Sequence, residues 1–537
     1  MTGIFSVIFL LTHHIYCGKI YIPCFSGNCE TIFFKNKNFS EGASDTDMKK
    51  IFLSLIFSVG ILFAATSGAY ADFSDMKTGD TLLFDFGNIA EYGWIQADAS
   101  VKYTKERGYG WSMVSFTQNE SSSGNGVLSD AVGIKRGYED RVSFNVDIPD
   151  GMYEISVYSG NIRYMTIGLE NHPAIINLEF ENSEARVEIP VTDGQLNMTM
   201  MQGNSGTDLA AAAMTIKRTG NLNTRKKRIF VCSDSTAATF YPLFMYQPLE
   251  PGYRGGWGQM LNAYLSDSMY VHNLSSPGQS AKSFIESGRF ESALYFMQPN
   301  DYAFIAFGIN DAKECSAEEY LTYMTDIISS VKEKGGIPVI ISQTPEMSDF
   351  NENDEYIGND NSFCAEAEKI AADNDCVYID MHTLSIEFFK SLGNDVRNDM
   401  YWTAWNGTKD CVHLSRNGAG QIARLIAEEC SKLMPEDFNT QELNSALSND
   451  LRLNCKTEKN TVYLQNLAPR EMTLYMVTNN YRGGRLSKSN TEIITLPAFD
   501  VLEPYKTVSV YAPLYDSCNH IFIAGDKDVC IPLEWKP

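Results

Sequence analysis

The chain has 537 residues, 44% of them hydrophobic and 20% charged, which is ordinary for globular protein but too long for a single core. Its formal net charge of −24 would repel phosphate backbones, which argues against nucleic-acid binding. Aromatic residues reach 12%, with 28 Tyr, which suits sugar-stacking surfaces and β-sandwich cores alike.

An export signal begins at Met48, in "MKKIFLSLIFSVGILFAATSGAYAD". Lys49 and Lys50 form its basic start, Ile51 to Ala65 its apolar run, and Ala69-Tyr70-Ala71 a small-x-small cleavage site. Residues 48–71 are therefore expected to be a signal peptide cut after Ala71, leaving a secreted chain that starts at Asp72. The run is short for a membrane span of ~20 residues. Residues 1–47 hold a second apolar run, "IFSVIFLLT", with Cys17, Cys24 and Cys29, and are expected to be a non-native upstream extension. Nine cysteines remain: Cys232, Cys315, Cys364, Cys376, Cys411, Cys430, Cys455, Cys518 and Cys530. None has C-x-x-C spacing. Cys232 and Cys376 fall in apolar strand patterns and read as buried thiols, and Cys518 with Cys530 as a bridge.

Residues 72–222 read as all-β. "TLLFDFG", "VSFNVDI", "YEISVYSG", "INLEF" and "ARVEIPV" are short, β-branched or aromatic, and punctuated by Gly, Asn, Asp and Pro. The pattern predicts a β-sandwich or jelly roll. Tyr92, Trp94, Tyr103, Tyr109 and Trp111 form either a sugar-stacking platform or core filling. A polar, basic linker, "RTGNLNTRKKR", follows.

From residue 225 to 436 strands alternate with helices. "RIFVCS", "MYVHNLS", "YAFIAFG", "IPVIISQ" and "CVYIDM" are the strands. Helices are predicted over Ser280 to Met297, within "SAEEYLTYMTDIISSVKEKGG", near Ser362 to Asn374, and in "SRNGAGQIARLIAEECSKLM". This order predicts a parallel sheet covered on both faces, with ligands at the carboxyl ends of the strands. Residues 437–537 turn β again ("NTVYLQNL", "EMTLYMVT", "TEIITL", "KTVSVYA", "HIFIAG") and predict a small accessory β-sandwich.

Ser235 leaves the first strand of the middle unit, in "RIFVCSDSTAATF". A serine there is an ordinary helix N-cap unless a base activates it. Of the three histidines between 225 and 436, His272 sits in a strand and His382 opens a helix. His413 lies in the polar segment "KDCVHLSRNGAG", read as a loop, with Asp410 three residues before it. That spacing can turn the carboxylate onto Nδ1 and leave Nε2 for a serine. "FIAFGINDAK" offers the Asn310 amide at a strand exit, with Asp311 as an alternative helix cap. "NLSSPGQSAKSF" offers the Gly278 N–H at another.

In chain order these are Ser235, Gly278, Asn310, Asp410 and His413. The unit resembles the SGNH (GDSL-type) hydrolases, through "SDST", "SPGQS", "GIND" and "DCVH", and among them the rhamnogalacturonan acetylesterases most, through "RGGWGQML", "GQSAKSF" and "KDCVHLSRNGAG". The resemblance covers about two-fifths of the chain. It implies a three-layer, flavodoxin-like α/β hydrolase preceded by a galactose-binding-like sandwich. It also implies Ser235 as nucleophile, His413 as base oriented by Asp410, and an oxyanion hole from Ser235, Gly278 and Asn310, with Asp234 and Asp311 in support. Neither metal nor organic cofactor is implied. The partner the resemblance implies is an acetylated plant cell-wall polysaccharide, rhamnogalacturonan or pectin, with no nucleic acid and no membrane expected after signal cleavage. Acetylxylan or general short-chain ester hydrolysis, and non-catalytic carbohydrate binding, are the alternatives. Two positions depart from the family: Ser233 replaces a Gly, and Gln279 replaces an Arg suited to an acidic sugar, a role Lys282 could take.

Overall fold

The computed structural model describes residues 73–240 and 254–438, apart from short breaks, and strands between 453 and 533. The expected upstream extension, the expected signal segment and Cys518 of the expected bridge lie outside the described residues.

The N-terminal strands form two sheets. One holds seven strands, including Thr81–Asp85, Gly151–Ser159, Glu184–Val191 and Leu209–Gly220. The other holds five: Tyr109–Trp111, Ser143–Asp147, Met165–Leu169, His172–Leu178 and Gln195–Gln202. Alternation drives the pairing of faces: Phe144 and Val146 of Ser143–Asp147 are buried, while their neighbours are only partly covered. Phe84, Phe86, Trp111 and Phe144 form the centre of the shared core, with ring centroids 4.9 to 5.2 Å apart. The aromatic cluster of the sequence thus divides. Trp111 is core and donates its indole N–H to Ala97 O at 3.0 Å, Tyr109 packs against the core, and Tyr92 is 79% exposed.

The α/β unit follows the sandwich. Its sheet consists of β1 (Lys227–Ser233), β2 (Met269–Asn273), β3 (Tyr302–Ala306), β4 (Ile337–Ile341) and β5 (Val377–Ile379), all parallel, in the order β2-β1-β3-β4-β5. The helices are α1 (Trp257–Met260), α2 (Ala281–Glu286), α3 (Arg289–Phe296), α4 (Asp311–Glu314), α5 (Ala317–Glu333), α6 (Cys364–Asp373), α7 (Met381–Leu392), α8 (Asn394–Met400) and α9 (Arg416–Leu433). Successive β1 residues supply opposite cores. Phe230 and Cys232 join the apolar cluster under α2, α3, α5 and α6; Ile229 and Val231 join the one under α1, α7 and α9. This is the period of two that a sheet buried on both faces demands.

The region predicted as one helix, Ser280 to Met297, is two. Gly288 has φ 74°, a left-handed conformation that ends α2 and turns the chain before α3. Cys232 is buried as expected, but Cys376 is only partly covered. The segment "KDCVHL" is not a loop. It forms β7 (Lys409–Leu414), antiparallel to β6 (Tyr401–Thr403), so His413 stands on an irregular hairpin with a register shift between Tyr401 and Thr403.

Beyond residue 452 the described strands form two antiparallel sheets. Leu453–Glu458, Thr461–Asn466 and Val508–Tyr511 make one; Met472–Arg482, Arg485–Leu496, Asn519–Asp526 and Val529–Leu533 make the other.

Candidate active site

β1 delivers the serine turn to the carboxyl edge of the sheet. Ser233 ends the strand fully buried, and its hydroxyl donates to Ala306 O on β3 at 2.6 Å. Its φ is not positive, so the side chain that replaces the family's Gly is accommodated without strain. Asp234 Oδ1 accepts from both the N–H and the hydroxyl of Thr236, each at 2.8 Å, which folds the chain back over two residues. Gln343, at the exit of β4, donates Nε2 to Ala306 O at 2.6 Å and reaches Asp234 Oδ2 at 3.4 Å. Burial raises the Asp234 pKa, while the Thr236 bonds and the nearby His413 charge pull against it.

Ser235 sits at the crest of this turn, 8% exposed. Among the described residues its hydroxyl accepts no backbone N–H, so it is not a helix N-cap, and its own N–H has no partner. The glycines of "RGGWGQM" bring α1 under the turn: a Cβ on Gly256 would lie 2.2 Å from Ala238 O, and one on Gly258 2.6 Å from Ala237 O. Trp257 N–H then donates to Thr236 O at 2.9 Å.

At the β2 exit, Gln279 N–H reaches Ser276 O at 3.3 Å, with Pro277 and Gly278 between them. Gly278 has φ 78°, and a Cβ there would meet nothing within 4 Å. Its identity thus answers to backbone conformation, as in a type II turn, and not to crowding. The Gly278 N–H also lacks a partner among the described residues. At the β3 exit, Gly308 turns the chain with φ 154°, where a Cβ would lie 2.0 Å from Ser362 O. Asn310 follows, its Nδ2 donating to Gln279 O at 2.9 Å, which leaves a second N–H on the same nitrogen. Asp311 does not cap the short helix it begins; its Oδ1 accepts the Ala281 N–H of α2 at 2.8 Å.

His413 Nδ1 lies 3.0 Å from Asp410 Oδ2. Asp410 Oδ1 accepts from the N–H groups of Val412 and His413, each at 2.8 Å, so one carboxylate shapes the backbone and orients the ring. Burial pushes the Asp410 pKa up, but these donors and the imidazole outweigh it and hold the carboxyl below its usual range. The other two histidines are engaged elsewhere. His272 is buried with Nε2 3.1 Å from Ala174 O, and burial lowers its pKa to about 3. His382 has Nδ1 3.1 Å from Gln343 O and Nε2 3.1 Å from Tyr356 Oη. No hydrogen bond joins Ser235 Oγ to His413 Nε2 among the described residues; such contacts are commonly long before a substrate tightens them.

Ser235, Gly278 and Asn310 stand at the exits of β1, β2 and β3, and Asp410–His413 on the hairpin before α9. Lys282 instead stands on α2, half exposed, 4.0 Å from Glu286. Gln343 and Thr236 brace the serine turn unannounced by the sequence, although Gln343 also follows a strand directly. Among the described residues no group of three or more His, Cys, Asp or Glu side chains could hold a metal ion.

A doubly wound sheet with serine, glycine, asparagine and an Asp-His pair at its carboxyl edge defines an ester hydrolase of the SGNH class, and residues 230–426 match the GDSL-like lipase/acylhydrolase family. Residues 82–217 match the galactose-binding domain-like module of β-agarase and YXIM esterases. The uncharacterized esterase YxiM of Bacillus subtilis is 33% identical over 356 residues, 65% of this chain and 90% of that protein. A crystal structure of B. subtilis YxiM aligns with a TM-score of 0.62 at 32% identity, covering 67% of this chain and all of that one. The chain belongs to this family: a GDSL-type hydrolase behind a galactose-binding-like domain. A probable rhamnogalacturonan acetylesterase of B. subtilis, YesY, is 29% identical over 212 residues, 38% of this chain and 93% of that protein.

Proposed function

We propose that the protein is an exported serine esterase that removes acetyl groups from plant cell-wall polysaccharide, rhamnogalacturonan first. The observation that carries the chemistry is the Asp410–His413 contact of 3.0 Å, unique among the three histidines of the unit, on the element before α9. The substrate rests on the relatives named as rhamnogalacturonan acetylesterases. Ser235 Oγ attacks the acetyl carbonyl carbon while His413 Nε2 takes its proton. The N–H groups of Ser235 and Gly278 and the second Nδ2–H of Asn310 hold the oxyanion. Collapse breaks the bond to the sugar oxygen, which takes the proton from His413. Water, deprotonated by the same imidazole, then attacks the acetyl-serine; collapse breaks the bond to Ser235 Oγ, which takes the proton back from His413, and acetate leaves. Asp410 keeps the ring in the tautomer this requires.

Gln279 favours a second substrate reading, a neutral acetylated sugar such as acetylxylan, because its amide offers no charge to an acidic residue. The division into 72–222, 225–436 and 437–537, with the last a small accessory β-sandwich, and export by the 48–71 signal belong to the same proposal. A mature N-terminus other than Asp72 in the secreted protein removes the cleavage site, and a chain that stays uncleaved inside the cell removes the export part.

Ser235→Ala is expected to lower p-nitrophenyl acetate hydrolysis by about three orders of magnitude or more with the melting temperature unchanged. Retained turnover defeats the mechanism. Acetate release from acetylated pectin, acetylated xylan and a tributyrin emulsion ranks the substrates, and pectin is expected to lead.

A further inference from the structure

We propose that Asp311 is a positioning residue for ester hydrolysis, fixing the Asn310 amide and the Gly278 N–H relative to one another by clasping the β2 exit to the β3 exit. The proposal rests on the active-site reading above and extends it.

Two consecutive residues after β3 reach the same short stretch after β2. Asn310 Nδ2 donates to Gln279 O at 2.9 Å, and Asp311 Oδ1 accepts from Ala281 N–H at 2.8 Å. The bonds bracket Ser280, and Gln279 directly follows Gly278. A single bond would leave the two exits free to pivot about it. Two bonds on either side of one residue remove that freedom. The direction of the Gly278 N–H depends on the turn it lies in: its φ is 78°, and the side on which a Cβ would stand meets no atom within 4 Å. Oxyanion donors work only when held within about 0.5 Å and 10–20° of their target.

The Ala281 N–H is a first-turn donor that needs an outside acceptor. Ser280 serves another donor of that turn, its Oγ accepting from Ser283 N–H at 3.2 Å. Asp311 is an expensive way to provide the acceptor. It is fully buried, and its Oδ2 is without a hydrogen-bond partner. Its bond to Ala281 N–H is buried and ends two residues beyond Gln279, next to the donor loop.

The test is steady-state hydrolysis of p-nitrophenyl acetate by the full chain carrying Asp311→Ala, Asp311→Asn, Asn310→Ala, and Asn310→Ala with Asp311→Ala. Asp311→Ala is expected to reduce kcat about tenfold or more with KM within about twofold, since only transition-state contacts are misplaced. Asp311→Asn keeps an acceptor at Oδ1 and is expected to stay within about threefold of the parent. In the Asn310→Ala background the Asp311→Ala effect is expected to shrink to about twofold, because a residue acting through another has little left to act on. Unchanged kcat in Asp311→Ala, an equal loss in Asp311→Asn, or independent multiplication of the two losses overturns the proposal. If Asp311→Ala does not fold, Asp311→Ser, which shortens the reach to Ala281, takes its place in the cycle. Ser235→Ala in the same assay separates the failures. Turnover without that hydroxyl fells the active-site reading; a dead Ser235→Ala with multiplicative losses at 310 and 311 fells only the positioning role.

Discussion

Asp234 and Asp311 carry carboxyl groups into the interior on either side of the reacting position, and burial raises the pKa of each. Thr236 offsets this at Asp234 with two donated bonds. Asp311 has one strong bond and the Asp234 charge nearby, and it reaches about 6. In the unfolded chain the group returns to its ordinary value of 3.8. Between those pH values the folded state keeps a proton that the unfolded state has released. Stability from this group is therefore present below about pH 4 and lost as pH rises towards 6. A separation of about two pH units corresponds to roughly 3 kcal/mol at most. Asp311→Asn removes the ionisation and keeps the acceptor, so it is expected to melt higher than the parent at pH 8 and to lose that advantage at pH 4. Thermal melts of both proteins across that range check it; an advantage independent of pH contradicts the account. Asp410 runs the other way. Its depressed pKa adds stability that is present at neutral pH and lost only as acid protonates the pair.

Gly256 and Gly258 decide how closely α1 can approach the serine turn. Gly256 has φ −109°, which any residue adopts, so its requirement is purely steric. A Cβ would stand 2.2 Å from Ala238 O and 2.4 Å from Ala237 C, both backbone atoms that cannot swing aside. Gly256→Ala is therefore expected to displace the segment after Ser235, costing about 1–3 kcal/mol in stability and lowering kcat by more than about tenfold. Denaturant unfolding and kinetics on one preparation test it, and unchanged kcat would show that the helix does not set the turn. Elements of this kind were legible where periodicity is long and capped. Ala317–Glu333 announces itself through Ser316 and Glu319, which form a capping box, and through Gly335 at φ 75°. The placing of Ser235, Gly278 and Asn310 was legible because a parallel sheet puts candidate ligand-binding residues at strand exits, whereas the Asp410–His413 contact was legible only from its three-residue spacing. The Gly288 break was not, because a lone glycine within an apolar helical pattern is often tolerated. The His413 hairpin was not, because β6 has three residues and its register shift hides the alternation. Gln343 was missed because one buried amide in a strand-exit loop has no sequence partner; its contacts with Ala306 and Asp234 exist only in the folded chain.

At the scale of the molecule the galactose-binding-like domain is built into the hydrolase. β2 is the edge strand of the parallel sheet, and the domain covers the residues that flank that edge. Tyr270 Oη accepts the Glu188 N–H at 2.7 Å, Arg228 donates to Glu188 O at 2.5 Å, and Ser292 Oγ donates to Pro173 O. His172 stacks on Tyr295 with ring centroids 3.9 Å apart and meets Phe296 edge-on at 6.2 Å. One apolar cluster runs from Phe84 and Phe144 through to Phe230 and Phe296 without interruption. Arg228 is fully buried at this junction, and burial lowers its pKa. Removing the domain would leave that cation without the Glu188 carbonyl and would bare Tyr270 and His272 of β2, with Phe296 of α3, beside an open sheet edge, where both aggregation and strand addition begin. In this chain the β2 edge is suited to a partner domain. A protein truncated to start at residue 225 is therefore expected to be insoluble, or to lose most of its thermal stability, even though every residue at the strand exits is retained. A truncated protein that melts cooperatively within a few degrees of the full chain and hydrolyses p-nitrophenyl acetate at its rate would make the N-terminal domain a tethered passenger and not part of the fold.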